Sequence, residues 1–458
     1  MSIAKELADF ICTTRFPDLP PRVVQTAKEC LLDIIGGTLG GTSYPDVLGV
    51  TNAIEKYDYQ SECVIWGTNK RMSLFNATII NGITSHATEM DDVHKTAKIH
   101  AGTALIPAAV TFGEVLNSSG KDLILAVALG YEVALRCGIG IGATSHRQRG
   151  WNATGTCGVF GAAVATAKLL GLEAEKMTSA IGIAGMQSSG LWAYTEDGAS
   201  CKKFIAGKSA YGGLIATIMA AGGMTGPSYI FEAEDGGLFP AASDDYSYDI
   251  VTEGLGETWE ILNVDRKPFA CARSMHPSID AIIQLQNKYN IVPEDIKQIH
   301  IETYEVAVKQ CAFTDKPKNV SEAQFCIPYG VAVALYDKCA GIEQFTSDRI
   351  RDDRVLNLAK RVQVYATPAF TNEYPKNWGC KLNILTYSGQ SLQKHIVNAK
   401  GDHDNPLTFD DLVAKFKASA NKSIPEPRHN LIIDMIMQLE SISDASRLVG
   451  MLSLQDMK

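Results

Sequence analysis

Hydrophobic residues recur at helical spacing through the first 265 residues of the chain. Short Gly, Pro or Asn interruptions separate the apolar stretches, which predicts one helix after another. Small residues are frequent in them, as in Gly161–Lys168, and this favours helices packed closely inside a bundle over amphipathic surface helices. The predicted helices are Val23–Leu39, Leu74–Ala87, Gly102–Leu116, Leu123–Ile139, Val159–Leu170 and Gly207–Ala221.

The pattern changes near residue 265, where apolar and polar residues begin to alternate. Ile296–Tyr304, Arg361–Ala366 and Lys381–Tyr387 are predicted strands, and the turn 388–390 joins the last of these to Ser391–Asn398 in a hairpin. A helix over Ala323–Asp337 separates the strands. We therefore predict an α+β domain with an antiparallel sheet.

Helical spacing returns after residue 405. Thr408 is placed to cap a helix that follows it, and a final helix covers His429–Leu439. The predicted division is an all-helical domain over residues 1–265, an α+β domain over 266–404, and C-terminal helices from about 405 to 458.

Charge narrows the possible functions. The chain has 458 residues and a formal net charge of −9, which disfavours a nucleic-acid partner because phosphate binding needs a concentrated positive surface.

Neither a basic, apolar signal segment nor an uninterrupted membrane span is evident, since Glu132 and Arg136 interrupt the apolar run Leu123–Leu135. Eleven cysteines without C-x-x-C pairs favour free thiols in a reducing cytosol. We expect a cytoplasmic protein without membrane contact.

The densest polar cluster is Glu89–His100, with three acids, two histidines and two lysines in twelve residues between two predicted helices. A solvated interhelical loop is one interpretation. Carboxylates that orient imidazoles for acid–base chemistry are a second. A metal site is a third, but no helix-face ligand spacing such as H-x-x-x-H supports it.

A second cluster, residues 188–208, is a Gly-punctuated loop that opens a helix. Lys202, Lys203 and Lys208 could bind a carboxylate there, or one could act as a base, or all three could be surface charges. Only Gly207-Lys208-Ser209 matches a phosphate loop, because the earlier glycine of that motif is missing.

A third cluster, Lys267–Ala281, straddles the predicted domain boundary. Arg273 and His276 would share a helix face, and such a pair suits a carboxylate clamp beside a proton carrier. Further along, Tyr329 follows Pro328 at a predicted helix start. A buried tyrosine with a satisfied hydroxyl is the ordinary alternative for it.

Taken together, these segments resemble the MmgE/PrpD family over nearly the whole chain. The family includes 2-methylcitrate dehydratase, cis-aconitate decarboxylase and iminodisuccinate epimerase. The segments that carry the resemblance, in order, are Glu89–His100 with Gly102 and Pro107–Ala109, Gly150–Gly158 with Gly161–Ala163, Gly190 with Lys202 and Gly207, Gly223–Pro227, Cys271 with Arg273, His276 and Asp280, and Gly401–Thr408.

The resemblance implies a mostly α protein: a large helical domain built from both chain ends, a smaller α+β lid domain, a homodimer, and neither a metal nor an organic cofactor. It implies a catalytic pocket and a carboxylate-binding set. The implied catalytic residues are Lys202, His100, His276 and Tyr329, and the implied substrate-binding residues are Glu89, Asp91, Asp92, Arg273 and Asn152.

The chain also departs from the family pattern. Asn152 stands where members often have a histidine, and an Asn cannot shuttle a proton at neutral pH. Glu89 replaces the usual Asp, Val93 a common Thr, and Phe204-Ile205 the usual Leu-His. These changes indicate a pocket that has moved away from that of cis-aconitate decarboxylase.

The resemblance implies proton chemistry next to a carboxylate of a small di- or tricarboxylate. Because the segment 188–198 most resembles iminodisuccinate epimerase, epimerisation is the favoured reaction. A hydro-lyase of the 2-methylcitrate type, a cis-aconitate-type decarboxylase and a non-catalytic carboxylate-binding protein remain as alternatives. In the expected mechanism Arg273 holds a carboxylate, Lys202 accepts a proton or stabilises an enediolate, and His100 or His276 moves the second proton.

Overall fold

The computed structural model describes residues 1–454, so the last four residues of the predicted C-terminal segment, 455–458, lie outside the described residues. The fold is mostly α, as predicted. Helices up to residue 265 are α1 Ile3–Thr13, α2 Pro21–Gly41, α3 Pro45–Glu55, α4 Leu74–Ser85, α5 Ala101–Leu116, α6 Gly120–Gly140, α7 Ala143–Gln148, α8 Ala153–Thr156, α9 Gly158–Leu169, α10 Ala174–Gly185, α11 Lys202–Ala221, α12 Leu238–Ala242 and α13 Asp249–Thr252. Later helices are α14 His276–Tyr289, α15 Glu305–Cys311, α16 Val320–Ala323, α17 Ile327–Asp337, α18 Asp353–Ala359, α19 Pro368–Glu373, α20 Phe409–Ala420, α21 Pro427–Met437 and α22 Ser446–Met451.

The strands form one four-stranded sheet and two short pairs. The strands are β1 Cys63–Val64, β2 Arg71–Met72, β3 Asp92–Val93, β4 Asp265–Arg266, β5 Ile296–Thr303, β6 Val362–Ala366, β7 Cys380–Thr386 and β8 Ser391–Ile396. The large sheet has the order β6-β5-β7-β8, and the predicted hairpin is its β7–β8 pair. The sheet is antiparallel except for the parallel pair β5–β6, whose strands are joined by a crossover that includes α15 to α18.

Two hydrophobic cores organise these elements. One core is formed by buried hydrophobic side chains drawn from the ranges 3–264 and 412–452. The other contains Met90 and residues 269–399, including the buried faces of β5, β7 and β8. Elements from both chain ends therefore bury their apolar faces in the first core. The first part of the chain also contains the pairs β1–β2 and β3–β4, which the helical pattern did not predict.

Two predicted helices differ from the structure in their bounds, one near a proline and one near a glycine. The predicted helix Ala323–Asp337 is two helices, and Pro328 lies in the first turn of the second, where its missing N–H costs nothing. Helix α11 begins at Lys202, five residues before the predicted start at Gly207. Thr408 caps α20 as predicted, because its hydroxyl oxygen accepts the Asp411 N–H at 3.1 Å.

Helices α4 and α11 cross at two glycines. A Cβ on Gly82 would lie 2.7 Å from the Cα of Gly207, so only glycine permits this approach. The close crossing brings the N-terminus of α11 to the segment that follows α4. Lys202 and the polar cluster Glu89–His100 are thereby brought together.

Helices α6 and α11 are long and apolar enough, by length and composition, to span a membrane. Helix α6 is therefore longer than the apolar run Leu123–Leu135, which Glu132 and Arg136 interrupt in the sequence. In α6, 94% of the most apolar stretch is buried inside the protein. In α11, the buried share of the corresponding stretch is 56%. Such burial is typical of core helices, so these two helices are weak evidence for a membrane span.

Candidate active site

Three stretches of chain meet between the two cores: residues 86–100, the start of α11, and residues 265–276. The first and third are joined by the strand pair β3–β4, in which Asp92 lies opposite Arg266 and Val93 opposite Asp265. Helix α20 also holds the first stretch. The Lys415 ammonium donates to the Met90 carbonyl and to Asp33 Oδ1, each at 2.5 Å.

Six side chains from these stretches form what we call the inner cluster: His86, Glu89, Asp91, His100, Lys202 and Lys267. Lys202 Nζ donates to Glu89 Oε1, and Lys267 Nζ lies 3.6 Å from Glu89 Oε2. Lys267 Nζ also lies 3.5 Å from Asp91 Oδ1. Glu89 has a left-handed backbone (φ +55°), which is uncommon for a residue with a side chain.

Asp91 is the centre of the inner cluster. Its Oδ1 lies 3.0 Å from His86 Nδ1 and its Oδ2 lies 2.6 Å from His100 Nδ1. The two imidazole rings are 4.8 Å apart, centroid to centroid. One fully buried carboxylate thus contacts two histidines and one lysine, and all three favour its ionised form.

The two carboxylates of the inner cluster are ionised. Burial alone would raise the pKa of Glu89, but Lys202, Lys267 and His86 lower that pKa to about 2. The pKa of Asp91 is held well below its ordinary value against the effect of burial by His86, Lys267 and His100. Burial opposes the charge of Lys267, yet Asp91 and Glu89 raise its pKa. Two anions therefore face two ammonium groups.

His100 is a neutral imidazole at neutral pH. Burial lowers its pKa to about 4, although the neighbouring Asp91 acts in the opposite direction. Its Nδ1 faces only acceptors, the Asp91 carboxylate and the Asp92 carbonyl oxygen at 2.8 Å. The Nδ1 atom must therefore carry the hydrogen, and Nε2 keeps its lone pair. That lone pair can accept a proton.

Two adjoining cavities open onto the inner cluster. The first, of about 150 Å³, is lined by Glu89, His100 and Lys202, together with Arg273 and aromatic side chains that include Trp192 and Tyr374. The second, of about 430 Å³, is lined by His86, Glu89 and Lys202, and by the loop 194–200. Both are lined by Glu89, Arg147, Lys202, Gln310 and Phe325. The Glu89–Lys202 pair can therefore be reached from both cavities.

Protein-family comparison matches both parts of the chain. The MmgE/PrpD N-terminal domain matches residues 5–250, and the MmgE/PrpD C-terminal domain matches residues 269–440. The chain belongs to the MmgE/PrpD family. The resemblance inferred from the sequence is thereby confirmed, and the protein is an MmgE/PrpD-type enzyme.

Similar proteins cover nearly the full length of this family member. The chain is 28% identical to the cis-aconitate decarboxylase-like protein oryM of Aspergillus oryzae, over 99% of this chain and 97% of that one. It is 26% identical to the cis-aconitate decarboxylase of Aspergillus terreus (98% and 96% covered) and 25% identical to that of Homo sapiens (98% and 94% covered). These names favour the lyase side of the MmgE/PrpD family and give no specific support to an epimerase.

Of the predicted site residues, the structure brings Glu89, Asp91, His100 and Lys202 together in the inner cluster. Asp92 lies next to them in sequence but points into the helical core. Its carboxylate accepts the Tyr131 hydroxyl at 2.7 Å and the Gly102 N–H at 3.3 Å, and it lines neither cavity. Burial, with Asp91 and Asp33 nearby, raises the pKa of Asp92 to about 7.

Arg273 lines the first cavity but is held by carboxylates of the protein. Its Nε lies 3.1 Å from Asp265 Oδ2 and its Nη2 lies 3.2 Å from Asp402 Oδ2. Asp402 also accepts from Lys95 Nζ at 2.7 Å, and His403 Nδ1 lies 3.0 Å from Asp265 Oδ1. We call Lys95, Asp265, Arg273, Asp402 and His403 the outer cluster. Two carboxylates thus already compensate the charge of Arg273, while its buried Nη1 has no hydrogen-bond partner.

Asn152, His276 and Tyr329 line neither cavity. The Asn152 side-chain oxygen accepts the Thr154 N–H and so caps α8, while its amide donates to Tyr194 Oη at 3.2 Å. His276 is fully buried at the start of α14, with Nε2 3.2 Å from the Cys271 carbonyl oxygen. The Tyr329 hydroxyl donates to the Gln344 carbonyl at 2.5 Å, the satisfied arrangement that the sequence left open.

Four residues of the site were not assigned a role from the sequence. His86 fell inside a predicted helix but follows the end of α4, and Lys267 was noted only as the first residue of its cluster. Lys98 belongs to the polar cluster Glu89–His100 but was given no role of its own there, and Arg147 lies in a stretch without a chemical motif; both line the first cavity. The signal that could have identified His86 and Lys267 is their closeness in sequence to the predicted acids and to Arg273. No such signal exists for Arg147.

Two groups of side chains have the geometry to hold a metal ion. They are His86, Asp91 and His100, and Asp265, Asp402 and His403. Each already has protein cations beside its carboxylates: Lys267 in the first group, Lys95 and Arg273 in the second. These cations would repel a divalent ion.

Proposed function

We propose that this MmgE/PrpD-family protein is a lyase that acts on a small di- or tricarboxylate through proton transfer at a carbon next to a carboxylate. The observation that supports this most directly is the joint placement of His100, Lys202 and Glu89 on one cavity wall. A neutral imidazole with a free Nε2 can accept a proton. An ammonium group paired with a carboxylate can stabilise negative charge or donate a proton.

In a decarboxylation, the bond to the departing carboxyl carbon breaks and carbon dioxide leaves. The electron pair stays on the substrate, where a neighbouring unsaturated acid delocalises it, and a proton is then added to carbon. Lys202 suits both needs, because its charge faces the developing anion and its N–H can supply the proton. Lys202 then takes a proton from solvent, and the negative charge of ionised Glu89 favours this return to the ammonium form.

A dehydration needs the same groups in a different order. A base removes a proton next to the carboxylate, and an acid protonates the departing hydroxyl group. His100 suits the first role and Lys202 the second. The names of the relatives favour decarboxylation over this second reaction and over the epimerisation that the loop 188–198 suggested.

We assign supporting roles to the remaining predicted residues. The Asp92 carbonyl oxygen and the Asp91 carboxylate both face His100 Nδ1 and fix the tautomer of His100, and Arg273 joins β4 to the segment that contains Asp402 through the outer cluster. We assign no proton transfer to His276, Tyr329 or Asn152, because none lines a cavity.

A homodimer and a cytoplasmic location stay predictions. Phe204 (50% exposed) and Met219 (38% exposed) on α11 are apolar side chains that a dimer interface could cover. Light scattering of the purified protein would measure its mass directly. A monomer at micromolar concentration would contradict the dimer.

The test of the reaction is proton NMR in deuterium oxide, with cis-aconitate, 2-methylcitrate, citrate and iminodisuccinate as substrates. We expect an unsaturated acid to lose carbon dioxide and to gain one deuterium. Appearance or loss of a hydroxy acid would identify a hydro-lyase. Deuterium exchange at a stereocentre, without conversion to a different acid, would instead identify an epimerase. No change in any acid, with Lys202→Gln as the matched blank, would contradict the proposal.

A further inference from the structure

Arg147 lies at the junction of the two cavities, on the short helix α7. Its guanidinium carbon is 4.2 Å from the centroid of the Trp192 ring, and its buried Nε has no hydrogen-bond partner. Among residues 1–454, no carboxylate forms an ion pair with Arg147. The neighbouring Arg149, by contrast, pairs with Asp244 at 2.7 Å and lines neither cavity.

Lys98 lines the first cavity together with Arg147. Its Nζ donates to the Thr144 hydroxyl at 2.9 Å and lies 4.9 Å from the centroid of the Tyr374 ring. No acid pairs with it within the described part of the chain. Its backbone is left-handed (φ +52°), an unusual conformation that turns the chain between the outer-cluster Lys95 and the inner-cluster His100.

These two cations differ from the other charged side chains of the first cavity. Lys202 is paired with Glu89, and Arg273 is paired with Asp265 and Asp402. Only Lys98 and Arg147 leave positive charge uncompensated, in a cavity whose walls include Trp151, Trp192 and Trp378. Burial and the Arg147 charge lower the pKa of Lys98 to about 8, and burial lowers the pKa of Arg147. An anion between them would remove this repulsion.

We propose that Arg147 and Lys98 form an anion subsite that binds a second carboxylate of the substrate, separate from the carboxylate next to the reacting carbon. The identification of the anion as a carboxylate rests on the proposed function. Arg147 can offer two parallel N–H donors to it, and Lys98 offers a point charge. The subsite requires at least two carboxylates on a good substrate. It also replaces Arg273 as the clamp that the sequence suggested.

The test is calorimetric binding of propane-1,2,3-tricarboxylate, a saturated acid without the double bond or hydroxyl group that the proposed reactions need. We expect Arg147→Gln and Lys98→Gln each to weaken binding by about ten- to a hundredfold, the loss of one charge-assisted contact. Arg149→Gln, at the residue that follows α7, is the matched control and should bind within about twofold of the unaltered protein. Butyrate, with one carboxylate, should lose much less affinity than the tricarboxylate in the first two variants.

Stability provides a second readout. Since neither cation has an acid partner, we expect Arg147→Gln and Lys98→Gln to leave the thermal midpoint of the free protein unchanged or raised, whereas a structural role predicts a lower midpoint. Unchanged tricarboxylate affinity in both variants, or no binding by the unaltered protein, would overturn the subsite. A protein that binds the tricarboxylate through Arg147 yet turns over no acid in the NMR assay would keep the subsite and contradict the lyase reaction.

Discussion

The inner and outer clusters contain nearly the same kinds of side chain. Each has two carboxylates, two cationic groups and at least one imidazole, and both draw on residues 86–100 and 265–276. In the inner cluster the pKa of His100 is lowered by burial to about 4. In the outer cluster the hydrogen bond to Asp265 raises the pKa of half-buried His403 against the effect of burial.

The difference shows that residue composition alone does not separate the cluster that we propose to be catalytic from the outer cluster. Burial, with Lys267 and His86 nearby, keeps His100 neutral, and His100 lines the first cavity, where a ligand can reach it. In the outer cluster, Arg273 pairs with Asp265 of β4 and with Asp402, and Lys95 also pairs with Asp402. These ion pairs join β4 to the segment that precedes α20. The predictions below test this division, from the largest expected effect to the smallest.

Lys202→Gln should reduce turnover by about a hundred- to ten-thousandfold, the usual contribution of one positioned acid or base. The amide can still hydrogen-bond Glu89 but carries no charge to stabilise an anion. The measurement is the steady-state rate on whichever acid the NMR assay identifies. Lys203→Gln, the next residue, is the control, because Lys203 pairs with Asp46 outside the inner cluster. Equal losses in both variants would contradict the assignment.

Arg273→Gln should lower the free energy of unfolding by about 3 to 5 kcal/mol, because it leaves the buried carboxylates of Asp265 and Asp402 with less compensation. Urea unfolding measures this loss. The exposed Arg354, paired with Asp352, is the control, and Arg354→Gln should leave the urea midpoint unchanged, because solvent screens the exposed pair. A raised KM with unchanged stability would instead make Arg273 a substrate clamp.

Asp92→Asn should change the pH dependence of stability. The folded-state pKa of Asp92 is raised to about 7, above the ordinary value near 3.8. Its contribution to stability is therefore fully present below about pH 4 and is lost as the pH rises through about 7, by at most about 4 kcal/mol. Asn can still accept the Tyr131 hydroxyl. We expect the variant to gain stability relative to the unaltered protein between pH 5 and pH 8, measured by urea unfolding. A constant difference over that range would contradict the raised pKa.

His403→Gln should have the smallest effect, below about 1 kcal/mol, since the imidazole is partly exposed. The folded-state pKa of His403 is raised, so its ion pair with Asp265 contributes stability below the ordinary pKa near 6.5 and loses it as the pH rises through the folded value. Thermal midpoints at pH 6 and pH 8 test this. We expect the unaltered protein to exceed the variant more at pH 6 than at pH 8, and a larger excess at pH 8 would refute it.

Much of the fold followed from local pattern. Helices such as α2, α5, α6 and α9 begin and end within three residues of their predicted bounds, and the β7–β8 hairpin was placed from its alternation and its glycine turn. Four of the nine predicted site residues meet in the inner cluster. All nine were implied by the family resemblance, and a matching motif does not fix the direction of each side chain: Asp92 points into the helical core and the adjacent Asp91 into the inner cluster.

The sequence by itself determined the family, the mostly α class and the region of the chemistry, because apolar periodicity, capping residues and dense charge are local properties. Only the tertiary structure decided which charges are compensated. Ion pairs such as Lys202–Glu89 and Lys95–Asp402 join residues 113 and 307 positions apart, and no periodicity records such partners. For the same reason Arg147, without any motif, and Lys98 became visible as a subsite only once their cavity and their lack of an acid partner were known. Burial sets the cost of a charge, and burial is a property of the folded chain.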